Sequence, residues 1–136
     1  MYQYEYALAQ FDKAIYYLAV GEDEIRGRLL LAFQSSLWGI EPAHLPDNVR
    51  ADYEWIIEQT HKYDEKYIGQ KKHYESFDQG KEKFSHLLPT KLEATLYRIK
   101  RKTATKIANR IYGIWQTLQE ESQNQKANNR LQGTSH

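Results

Sequence analysis

The sequence predicts an all-α fold: a single helical bundle of four long helices plus one short helix, with a long C-terminal helix and a disordered polar tail. Three observations lead there. Apolar residues recur every three or four positions along most of the chain. No stretch alternates apolar and polar residues as a half-buried strand does. The chain has 136 residues, 40% of them hydrophobic, which is enough for one packed core. The bundle domain is expected over residues 1–122 and the tail over 123–136.

The first helix is expected over residues 3–20, where Tyr4, Leu8, Phe11, Ile15 and Leu18 repeat at spacings of 4, 3, 4 and 3. Gly21 is read as its left-handed cap. Glu22, Asp23 and Glu24 suit the positive end of a second helix, with Asp23 as the capping residue. Ile25, Leu29, Phe33, Ser36 and Ile40 form that helix's inner stripe. After the break at Glu41-Pro42-Ala43-His44, Asp47 is placed as the cap of a third helix, which carries Val49, Tyr53, Ile56, Ile57, Thr60 and Tyr63. A short helix follows on Tyr74, Phe77, Phe84 and Leu88, weakened by Gly80.

Thr90-Lys91-Leu92-Glu93 has the form of a capping box. From it one continuous helix is expected to about Ser122, burying Leu92, Leu96, Ile99, Thr103, Ile107, Ile111, Ile114 and Leu118. At 1.5 Å per residue it would be roughly 50 Å long, against a radius of gyration of about 14 Å for a compact domain of this size. Its end therefore either projects or finds a partner. Beyond Ser122 almost nothing is apolar, and disorder is expected.

Charge is balanced overall, 19 basic against 18 acidic side chains, but not along the chain. Residues 1–62 carry net −5 and residues 63–136 net +6. The two halves either face each other within one fold or leave a basic face for an anionic partner. The longest purely apolar run, residues 14–20, is far short of the roughly 20 residues that span a bilayer. No secretory signal pattern opens the chain, so no membrane association and a cytoplasmic location are expected. The absence of cysteine removes thiolate metal sites and thiol catalysis.

Catalytic signatures are missing. The strings Glu58-Gln-Thr-His61 and Glu41-Pro-Ala-His44 have the spacing used by carboxylate-bridged di-metal bundles. The second crosses a proline, however, and neither the first nor the last helix offers an inward acid. His73, His86 and His136 are scattered. Ser35-Ser36 lies in an amphipathic helix, and no nucleophile elbow, phosphate loop or dinucleotide fingerprint occurs. No enzyme activity, metal, cofactor or small-molecule substrate is expected; a bundle metalloenzyme is the least favoured alternative.

Two surfaces stand out instead. Arg98, Lys102, Lys106 and Arg110 would form a ridge at i, i+4, i+8 and i+12, with Arg101 and Tyr97 beside it, suited to nucleic-acid phosphates and stacking. Gly113 suggests a helix-turn-helix turn, but the following residues bring Glu120 and Glu121 and no basic side chain before Lys126, so one continuous helix is expected there. The other surface is aromatic. Tyr6 and Tyr17, Leu31 and Trp38, and Trp55 lie on the backs of three successive helices. Either the second helix is buried all round, or these backs form a protein interface, homo-oligomeric or with another protein. A non-enzymatic binding or regulatory protein is the first expectation, and a nucleic-acid-binding module is the alternative.

Overall fold

The computed structural model describes residues 2–62 and 91–134. Among these there are five α-helices and no strand: α1 (Glu5–Val20), α2 (Ile25–Ala32), α3 (Asp47–Thr60), α4 (Lys91–Arg98) and α5 (Arg101–Thr134). The expected short helix around Tyr74, with Gly80, His73 and His86, lies outside the described residues, as do Thr90 and Tyr63.

One core serves every element. Leu8 and Phe11 of α1, Leu29 of α2, Tyr53 and Ile56 of α3, Leu96 of α4 and Ile107, Ile111 and Ile114 of α5 all belong to a single buried cluster. Phe11 meets Tyr53 edge to face, with ring centres 6.0 Å apart. The cluster holds most of each stripe read from the sequence; Tyr4, Ile15, Leu18, Ile25 and Ile57 pack against it only partly buried, and Ala7, Ala14, Leu30, Leu37 and Leu45 join it from outside the stripes. α5 packs on α1, α2 and α3 and braces them. Its register against α1 is antiparallel: the Tyr2 hydroxyl donates to Glu121 at 2.8 Å, Trp115 donates to Asp12 at 2.6 Å, and Arg101 pairs with Glu24 at 2.8 Å.

Three expected helix caps are corrected. Gly21 is extended (φ −60°, ψ 142°), not left-handed. Glycine is needed there for space: a Cβ would sit 2.6 Å from Arg28 Cγ and 2.8 Å from the Tyr17 carbonyl oxygen. Arg28 crosses this point to donate to the Leu18 carbonyl at 2.6 Å and the Asp23 carbonyl at 3.0 Å, closing the C-terminus of α1. Glu24 and Pro46, not Asp23 and Asp47, are the N-cap residues of α2 and α3, and neither makes a side-chain capping bond. Asp47 instead pairs with Arg50 one turn on.

The expected single helix from Leu92 is two helices, broken at Ile99 and Lys100. The Ile99 carbonyl accepts from Arg26 Nη1 at 3.3 Å, and the Glu24 carboxylate binds both Arg26 and Arg101 across the joint. No glycine or proline marks this break, and the apolar stripe runs through it without losing step. The helix boundary at Ser122 is corrected as well: α5 continues through Thr134. Residues 123–134 hold no proline, and several good helix formers let the helix propagate. From Gln123 to Leu131 every residue but Gln125 is exposed, which agrees with a polar segment that has nothing to bury.

Past Ala32, α2 widens into a π-helical turn, Phe33–Leu37. The turn keeps Phe33, Ser36, Leu37 and Ile40 inside while Trp38 faces out. A short 3-10 turn, Pro42–His44, then leads to α3.

Candidate interaction surfaces

The aromatic set divides. Trp38 is 65% exposed, Tyr6 57% and Leu31 41%, so the second helix is not buried all round. Tyr6 and Trp38 belong to the same end of the bundle. The Tyr6 hydroxyl lies 3.9 Å from where a Cβ on Gly39 would stand, one residue from Trp38. The Tyr6 ring also meets His44 edge to face at 5.8 Å. His44 holds this corner in shape: its Nδ1 accepts the Glu41 backbone N–H at 2.9 Å, while the Glu41 side chain caps the same turn.

Tyr17 and Trp55 do not join that surface. Both are half-buried against the core. Tyr17 packs on Tyr16, and Trp55 lies under the Arg110 guanidinium, 4.5 Å from the ring centre. Sequence reasoning missed a second aromatic group on the seam between α1 and α5, where Tyr16 and Tyr112 are exposed. Trp115 is anchored there by Asp12, which also accepts from Gln119 at 3.3 Å. Tyr16 is one turn past Asp12 and Tyr112 one turn before Trp115, so the antiparallel register sets them level. The signal was available in that spacing, but only once the pairing of α1 with α5 was known.

The basic ridge is broken up by the joint at Ile99 and Lys100, which puts Arg98 on α4 and Lys102, Lys106 and Arg110 on α5. Arg101 is committed to Glu24, and Arg110 to Asp52 at 2.8 Å. Acidic and basic halves thus meet inside the fold. Tyr97 is half-buried, and Arg98, Lys102 and Lys106 are exposed. Lys102 and Lys106 have no carboxylate partner among the described residues.

Among the described residues three groups are electrostatically perturbed. The Arg26 bond, aided by Arg101, holds the Glu24 carboxyl below its usual value despite partial burial. Burial pushes the Tyr53 hydroxyl upward, and burial together with the bond to Glu121 does the same for Tyr2. All three are explained by structural contacts. His61 Nδ1 lies 3.1 Å from the Ile57 carbonyl and 3.0 Å from Thr60 Oγ1, so both Glu-x-x-His histidines have local partners. Among the described residues no group of three or more His, Cys, Asp or Glu side chains converges as a metal site would. No described helix is long and apolar enough to cross a membrane.

No protein-family model, curated protein or solved structure matches this chain.

Proposed function

We propose that this is a non-enzymatic, cytoplasmic helical binding protein that engages another protein through the Tyr6 and Trp38 corner of the α1 and α2 pair. The observation that carries this reading is Trp38: a tryptophan 65% exposed in the turn that follows the π-helical end of α2, with Tyr6, 57% exposed, reaching to within 3.9 Å of a Cβ position on the next residue, Gly39. A scattered exposed leucine needs no explanation. A tryptophan and a tyrosine sharing one corner are the residue types that dominate protein interfaces. Each buries on the order of 150–250 Å² when covered.

Replacing Trp38 by alanine tests this. Helical content should stay intact, while the partner that co-purifies with the wild-type protein from its native cell is lost. Equal recovery of the same partner by both proteins would contradict the reading.

Nucleic-acid binding is the second reading, supported by Lys102 and Lys106, which stand exposed in a stretch, residues 94–119, that contains no Asp or Glu. With Arg101 and Arg110 engaged internally, two phosphate contacts would give a log–log salt slope of about −1.8 on duplex DNA. Failure to bind any nucleic acid at low salt would remove it.

A further inference from the structure

Gly113 lies in the interior of α5, where glycine is the poorest helix former after proline. Inside the fold nothing demands it: a Cβ there would have no atom within 4 Å. Gly21 gives the contrast, since its space is filled by Arg28. A glycine without an intrachain reason, on an exposed helix face, leaves the backbone open to close approach from outside.

The face around Gly113 has an internal symmetry. Lys106 lies seven residues before Gly113 and Glu120 seven after, both exposed. At 100° per residue the two fall within about 20° of the Gly113 direction, on opposite sides of it. Asn109, exposed, and Thr117, half-buried, four residues before and after, flank the same direction at about 40° on opposite sides. A two-fold axis through Gly113 would bring a second α5 against the first in antiparallel register. Lys106 of each copy would then meet Glu120 of the other about 10 Å from the axis, at both ends. Neither Lys106 nor Glu120 has an ion-pair partner among the described residues.

We infer that the protein forms a two-fold dimer through α5, centred on Gly113, with reciprocal Lys106 and Glu120 ion pairs between copies. Such an interface is isologous, as two-fold dimers require. A polyanion would use Lys106 but would be repelled by Glu120 on the same stripe, so the sign change along the face favours a second copy of this chain. The Tyr6 and Trp38 corner lies on α1 and the turn that follows α2, and takes no part in the pairing.

The test is sedimentation of the full chain over a range of concentrations, with helicity checked for each variant. Wild type should dimerise. Lys106→Glu and Glu120→Lys should each weaken the dimer about tenfold or more, since each replaces two attractions by two repulsions. The combined Lys106→Glu, Glu120→Lys protein should recover wild-type association. Gly113→Leu, which blocks backbone approach while favouring the helix, should give a folded monomer. Trp38→Ala should dimerise as wild type does. A monomeric wild type overturns the inference. So does a dimer insensitive to both single reversals, a double reversal that stays monomeric, or a dimer lost only in Trp38→Ala.

Discussion

The Arg110 guanidinium lies over the Trp55 ring, 4.5 Å from its centre, and donates to Asp52 at 2.8 Å. One contact thus withdraws a member from each of the two surfaces read in the sequence. Arg110 is held by the acidic half of the chain, and Trp55 is covered by an arginine of its own fold.

Replacing Arg110 by glutamine should therefore act on stability. A half-exposed cation–π contact and ion pair together contribute about 1–2 kcal/mol. Denaturant unfolding should show that loss, and tryptophan emission should move to the red as Trp55 is uncovered. Unchanged stability and emission would mean the stack does not hold in solution.

The two glycines should respond oppositely to alanine. Gly21→Ala forces a Cβ into Arg28 and the Tyr17 carbonyl and should cost about 1–3 kcal/mol. Gly113→Ala meets open space in a helix interior and should stabilise the monomer by about 0.5–1 kcal/mol. Thermal unfolding of both variants at low protein concentration checks the pair.

Tyr53 is fully buried, and its hydroxyl donates to the Ile40 carbonyl at 2.8 Å. Tyr53→Phe should cost about 0.5–1.5 kcal/mol at neutral pH. Because burial raises the folded hydroxyl above its unfolded value, the unfolded chain ionises first as pH climbs past about 10. Tyr53 therefore makes the fold lose stability with rising pH in that range. The phenylalanine variant should show a shallower alkaline decline in urea midpoint.

At the joint between α4 and α5, Glu24 binds Arg26 and Arg101 and is held below its ordinary carboxyl value, Arg26 being the main cause. The folded state then binds fewer protons than the unfolded one. The associated stability is fully present above the unfolded carboxyl value, about 4.3, and is lost progressively as pH falls from there through the lower folded value. Glu24→Gln should be less stable at pH 7 and flatter between pH 6 and 3. An identical pH profile for variant and wild type would contradict this role.

What was legible in the sequence, and what was not, divides along physical lines. The inner stripes of all the described helices follow from the 3.6-residue period, and Leu8, Phe11, Leu29, Phe33, Ile107 and Ile111 are all core. The break at Ile99 was invisible because no glycine or proline marks it, the stripe keeps step across it, and the Arg26 side chain that binds its carbonyl is 73 residues away. Spacing alone set Tyr6 and Trp38 opposite the inner stripes but left open whether the second helix is buried all round, which their exposure decides. That Tyr17 and Trp55 are partly covered depends on neighbours from other helices, which periodicity does not contain. The pairing of Arg101 with Glu24 and Arg110 with Asp52 was foreshadowed by the opposite charges of the two halves, without the partners being named.

The most direct measurement is the unfolding free energy of Trp38→Ala. If Trp38 is an outward anchor held for a partner, its removal should change stability by about 0.5 kcal/mol or less, as for surface substitutions generally. A loss of roughly 3–5 kcal/mol, the cost of emptying a core tryptophan site, would contradict that and return Trp38 to the interior.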